Sequence, residues 1–131
     1  MTDIVETLQV GDVLATARRQ LERGGIHHLP VVDQDERVIG LITYHRLLEA
    51  WIEGETTTPG SGGQLTVESV MEKDVLTLDV DATAAEAARL LDNNRFGSLP
   101  VTKAEKLVGI VTAADFVRVA RKLLERELHQ L

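Results

Sequence analysis

Cysteine is absent from the 131 residues of this chain, which excludes a disulfide framework, a thiolate zinc site and a cysteine nucleophile. Aromatic residues are scarce: Tyr44, Trp51, Phe96 and Phe116 are the whole set, too few to build a stacking platform for single-stranded nucleic acid. The core must therefore be aliphatic. No apolar run approaches the ~20 residues that cross a bilayer, and the opening Met1-Thr2-Asp3-Ile4-Val5-Glu6 lacks the basic start and apolar stretch of a secretory signal. Positive charge is also in short supply. The formal net charge of -7 repels phosphate backbones and anionic surfaces at long range, so neither nucleic acid nor membrane is an expected partner. The local cluster of Arg118, Arg121 and Lys122 reads as a solvated helix face. A soluble, cytoplasmic protein with one compact body is expected, long enough to bury a core without a structural metal.

What the sequence does contain is a repeat. Leu29-Pro30-Val31-Val32 recurs as Leu99-Pro100-Val101-Thr102, and Ile39-Gly40-Leu41-Ile42-Thr43 recurs as Val108-Gly109-Ile110-Val111-Thr112. The offset is 70 residues for the first pair of strings and 69 for the second, so one residue is lost in the intervening turn. Upstream, Ala15, Ala17, Arg19 and Leu21 match Ala85, Ala87, Arg89 and Leu91 at the offset of 70. Order, spacing and apolar pattern repeat together, which marks two copies of one supersecondary unit.

Within each copy, an alanine-rich stretch (13–23 and 83–93) places apolar residues at helical spacing. A short strand opening on Leu-Pro-Val follows, where proline costs little because it stands first in the strand. Next come a charged turn, a second apolar strand ending at threonine, and a closing helix, predicted over 44–52 in the first copy and from Ala113 to about Leu128 in the second. The fold class expected is α+β, an α/β-type repeat of two βαββα units: residues 1–53, then 65–131 with a long C-terminal helix. Residues 54–64, rich in glycine, threonine and proline, read as a flexible linker.

The strings from Gly25 to Asp33 and Val38 to Thr43, with Leu99-Pro100-Val101 and Leu107 to Asp115, resemble the cystathionine β-synthase (CBS) domain, and two copies in series resemble the tandem pair called a Bateman module. The resemblance covers nearly the whole chain. It implies two units packed around a pseudo-twofold axis, with two clefts in which adenosine nucleotides or related compounds bind. It further implies a regulatory module without a bound cofactor, acting through a homodimer or through an unidentified protein partner.

Residues Gly109 to Asp115 resemble the nucleotide motif of that family. The chemistry is intelligible: a helix N-terminus offers free N–H groups to a phosphate, Thr112 a hydroxyl, and Asp115 a carboxylate that accepts both hydroxyls of a ribose. Thr112-x-x-Asp115 is equally the pattern of a capping box, so the residues alone leave ligand binding and helix capping both open. By the resemblance, Asp115, Thr112 and Ala114 face His27, His28, Ile26 and Val5 of the other unit, with Ile26 and Val5 sandwiching an adenine. The second cleft would comprise Thr43, Arg46, Gly97, Ser98 and Val75. It departs from the motif, because Arg46 replaces the aspartate and has only donors to offer a ribose. It is then empty, or clamps a more anionic ligand through Arg46, or carries Arg46 as an exposed helix residue.

His27 and His28 are adjacent on an extended segment and point to opposite faces, so they do not share a metal ion. No hydroxyl stands with an evident base and no glycine-rich phosphate loop of the usual kind is present, so an enzyme is not expected. Leu47, Leu48, Trp51 and Ile52 at helical spacing place the tryptophan on its own core rather than at an interface. The stripe of Val117, Ala120, Leu124, Leu128 and Leu131, widened by Phe116, Val119 and Leu123, is more apolar surface than one sibling unit covers, and it points to a homodimer.

Overall fold

The computed structural model describes residues 6–24, 27–93 and 97–130, with the backbone alone for 127–130. Two three-stranded sheets of the same plan carry the fold. In the first, β1 (Leu8–Gln9) runs parallel to β2 (His28–Val32), which pairs antiparallel with β3 (Val38–Thr43). Helix α1 (Leu14–Gly24) forms the crossover between the parallel strands, and α2 (Tyr44–Thr57) follows β3. After a short α3 (Val67–Val70), the second unit repeats the order: β4 (Leu78–Asp79), α4 (Ala84–Asn93), β5 (Ser98–Lys103), β6 (Lys106–Thr112) and α5 (Ala113–Gln130). The expected pair of βαββα units is the architecture observed.

The slip in repeat offset has its cause in the two hairpin turns. In the first, the Asp33 carboxylate accepts from the backbone N–H groups of Asp35 and Arg37, an Asx-type turn that needs room for Glu36 at φ 65°. In the second, Ala104 and Glu105 both have positive φ, 51° and 69°, which closes Lys103 onto Lys106 in a tight two-residue turn.

Each sheet buries one aliphatic cluster. The first joins Leu8, Leu14, Leu21, Leu29, Val31, Ile42 and Leu47, and the second joins Leu78, Ala87, Leu99, Val101 and Val111. The first cluster also takes in Val67 and Val70, with Leu65 and Met71 packed against it, from the stretch that opens the second repeat. Backbone bonds fix this stretch in place: Leu14 N–H donates to Leu65 O (2.8 Å), Val67 N–H to Asp12 O (2.8 Å), and Leu41 and Glu72 exchange a reciprocal pair at 3.0 and 2.8 Å. Gly40 suits this close approach, since a Cβ there would press on the Met71 side chain, which would have to shift, and lie 3.0 Å from Glu72 O.

The expected linker is structured instead. Helix α2 continues through Gly54 to Thr57, and Thr58 N–H caps it on Gly54 O. The Glu55 carboxylate accepts from Gly60 N–H and Gly62 N–H, and Ser61 Oγ donates to Thr58 O and Gly54 O. Gly62 and Gly63 are buried in a 3₁₀ turn against the Trp51 indole, whose ring also carries the Arg18 guanidinium 5.0 Å from its centroid. Trp51 therefore packs on the first core, as the spacing predicts. Glycine costs a helix only about 1 kcal/mol, and here its missing side chain lets the connector lie flat on an indole, so packing overrides propensity. A Cβ on Gly62 would meet Trp51 O and the indole at 2.6 Å. Gly62→Ala should accordingly cost about 1–3 kcal/mol as an overpacked contact, whereas a mobile linker would tolerate it. Urea unfolding midpoints of the two proteins decide between these outcomes.

Candidate functional site

Both units build the same junction where the last strand meets the closing helix. Ser98 lies opposite Thr112 across β5 and β6, and Ala113 N–H donates to Gly97 O (3.0 Å). In the first unit, His28 lies opposite Thr43, and Tyr44 N–H donates to His27 O (2.9 Å). Gly97 turns into β5 at φ 71°, a conformation that favours glycine. Each threonine is thus set at a helix N-terminus beside the residues that precede its own unit's Leu-Pro-Val.

The two junctions differ in their charged residue. Thr112 and Asp115 form a reciprocal capping box: Thr112 N–H donates to Asp115 Oδ2 at 2.9 Å, and Asp115 N–H donates to Thr112 Oγ1 at 3.2 Å. Asp115 Oδ1 accepts from the Arg118 guanidinium. The Asp115 side chain keeps 18% of its surface exposed, and Ala114 beside it is exposed. In the first unit only half of the box forms, with Arg46 N–H donating to Thr43 Oγ1 at 3.1 Å. The Arg46 side chain turns along its own helix to Glu49 (2.7 Å) and Glu53 (4.0 Å).

Of the sequence-predicted site residues, the structure brings together Thr112, Asp115, Ala114, Gly97 and Ser98 at one junction and Thr43, Arg46, His27 and His28 at the other. These hydrogen-bonded groupings each lie within one unit, whereas the resemblance pairs each threonine with the opposite unit. Val75 is half-buried just ahead of β4. Val5 and Ile26 lie outside the described residues.

The units also meet at their hairpin turns. Leu107 N–H donates to Glu36 O (3.1 Å) and the Arg37 guanidinium sits 3.5 Å from Glu105. Beside this contact an open cleft of about 710 Å³ is lined by Arg37, Val38, Thr77, Asp79, Thr102, Ala104 and Glu105. Sequence reasoning gave these residues no site role, because charged residues in a hairpin turn read as solvated loop. Among the described residues, no group of three or more His, Asp or Glu could hold a metal ion, and no helix is long and apolar enough to cross a membrane.

The repeated junction is matched by a known family over both halves of the chain: the CBS domain profile fits residues 1–53 and 67–122. The chain belongs to the CBS domain family. It is a tandem pair of such domains, and solved structures share its fold. A protein from Vibrio cholerae described in connection with acetoin utilization (AcuB) is 30% identical with a TM-score of 0.81, covering 98% of this chain and 92% of its own. CBSX2, solved in complex with AMP, is 26% identical with a TM-score of 0.76, covering 91% and 89%. An uncharacterised protein of Methanocaldococcus jannaschii is 30% identical over 98% of this chain, and inosine-5'-monophosphate dehydrogenase of the same archaeon is 35% identical over 87%. The chain spans 34% and 21% of the lengths of those two relatives.

The capping box of this CBS pair makes a stability prediction independent of any ligand. Thr112→Ala and Asp115→Ala should each destabilise the protein by about 1 kcal/mol, because each leaves an N-terminal N–H of α5 without its acceptor. Thr43→Ala should cost about the same. Denaturant titration of the three variants without ligand is the check.

Proposed function

We propose that this CBS pair is a regulatory module, not an enzyme, which binds an adenosine-type nucleotide of the AMP, ADP or ATP class between its units and passes on the bound state through a homodimer or a partner protein. The observation that carries this reading is the Thr112-Asp115 junction at the start of the 18-residue α5, in a chain 26% identical to the AMP-bound CBSX2. Capping and ligand binding are compatible at Asp115. An ionised carboxylate offers about four acceptor sites, and the box and Arg118 engage one on each oxygen, leaving capacity for ribose hydroxyls. Thr112 and Ala114 then border the phosphate end. Ile26, Val5 and the backbone at His27 and His28 take the adenine.

The second cleft, with Thr43, Arg46, Gly97, Ser98 and Val75, lacks the carboxylate that would accept both hydroxyls of a ribose. Arg46 lies along its own helix toward Glu49 and Glu53, so a phosphate would have to draw it away from these two carboxylates. One ligand per chain follows from this asymmetry. Calorimetric titration with AMP, ADP, ATP, S-adenosylmethionine and NAD should find one site per chain for at least one of them. Asp115→Ala should weaken that site about 10- to 100-fold, the loss of hydrogen bonds to a charged group, and Arg46→Asp should raise the stoichiometry toward two. Two sites in the unmodified chain would make Arg46 a phosphate ligand and end the asymmetry.

A second reading has its own support. The reciprocal box accounts for Thr112 and Asp115 as structural residues, which suits a dimerisation module that binds no nucleotide. Absence of heat and of thermal shift with all five compounds at millimolar concentration favours that reading over the first. Saturation at 100 times Kd would otherwise add about 2.7 kcal/mol of stability.

The dimer in either reading rests on α5. Val117, Val119, Leu123 and Leu124 are 67%, 54%, 52% and 62% exposed, an apolar area large for a free surface. Leu128 and Leu131, counted in the sequence stripe, lie outside the described side chains. Sedimentation at micromolar concentration should give twice the chain mass, and a monomer throughout the range would remove the dimer.

A further inference from the structure

We propose that the cleft beside the hairpin turns is a further ligand site, separate from the Thr112-Asp115 junction, and that it takes a small zwitterion: a free amino acid or a short peptide with both termini uncapped. The proposal stands on the charges of the cleft itself and holds whether or not a nucleotide binds at Asp115. At about 710 Å³ the cleft has the size of a small-molecule site, and both units line it. Arg37 and Val38 come from the first hairpin, Thr77 and Asp79 from the edge of the second sheet, and the remainder from the second hairpin. Strand β6, seven residues long, runs from this end of the sheet to Thr112, so about 20 Å separates the two places.

The charged groups of the lining are largely uncommitted. Arg37 meets Glu105 through Nε at 3.5 Å, and its guanidinium makes no hydrogen bond among the described residues. Its planar fork is therefore open to a carboxylate, which it can bind with two parallel N–H groups. Asp79 Oδ1 accepts from Asp81 N–H at 2.8 Å in the turn after β4, while Oδ2 has no partner among the described residues and suits an ammonium. The Thr77 and Thr102 hydroxyls are likewise unpaired among the described residues. A simple anion would meet two carboxylates against one guanidinium, and a simple cation or a metal ion is opposed by Arg37. A ligand that carries both signs matches both groups. Val38 and Ala104 supply an apolar part of the wall, which favours small uncharged side chains. A ligand held in this way joins Arg37 of the first unit to Asp79 of the second and reinforces the seam made by Leu107 and Glu36.

Titration of the isotope-labelled full-length chain with alanine, dialanine and trialanine, followed by two-dimensional NMR, tests the site. The three probes differ in the separation of their charges and so distinguish a free amino acid from a peptide. At least one of them should shift the amide signals of Arg37, Ala104 and Leu107 with a millimolar Kd, the affinity that two partly screened charge contacts provide. N-acetylalanine and alaninamide, each lacking one charge, should bind about three- to tenfold more weakly than alanine, and the correspondingly capped peptides more weakly than their parents. Arg37→Met and Asp79→Asn should each weaken binding by a similar factor. Both changes conserve side-chain length, and the asparagine keeps an Oδ1 acceptor for Asp81 N–H, so the remaining amide signals should stay in place and report an intact fold. No shift at tens of millimolar overturns the proposal. Equal shifts with the capped compounds, or shifts confined to the Thr112-Asp115 junction, overturn it as well.

Discussion

The reciprocal hydrogen bonds between Leu41 and Glu72 hold the molecule together in a way that neither repeat does alone. They tie the start of the second repeat to the central part of β3, in the first sheet. Once that tie is made, Val67 and Val70 fall into the first core and Met71 closes over Gly40. The connector then settles on Trp51 through two consecutive glycines, at either of which a Cβ would crowd the indole. The start of the second repeat is therefore built into the first unit along this seam. A second, more polar seam joins the hairpin turns through Glu36 and Leu107.

Under the proposed function, such a construction would serve as a relay. The closing helices begin at the Thr43 and Thr112 junctions and carry exposed apolar faces further along their length. A ligand that engages Asp115 acts at the first turn of α5, and the surface available to another chain lies on the later turns of the same rigid element. Any difference in affinity between two arrangements of that surface is reflected back on the ligand by linkage. Cost and benefit meet at Asp115, where one carboxylate both caps the helix and remains partly open to solvent.

Much of this was legible in the residues. The doubled Leu-Pro-Val and Gly-Ile-Val-Thr strings placed β2, β3, β5 and β6, because a half-buried strand and its turn have local chemistry. The loss of one residue between copies foretold two different turns. The Thr-x-x-Asp spacing announced the helix start at Ala113, and the missing carboxylate at position 46 announced the asymmetry of the two junctions. What misled was the run from Gly54 to Gly63. Its composition is that of a solvated linker, and only the neighbouring indole, brought over by α2, turns it into a packed segment.

The sequence by itself determined the repeat, the order of its elements, the aliphatic character of the two cores and the sign of charge at each position of the closing helices. These are properties of local pattern, and they follow from the periodicity of helices and strands. The tertiary structure alone decided which segment completes which core, that Arg46 lies along its own helix, and that Thr112 and Asp115 satisfy one another. Those outcomes depend on contacts between different elements of the fold, or on the choice of one rotamer among several. Neither is encoded in a local pattern, because the same side chains serve equally well with other partners until packing removes the alternatives.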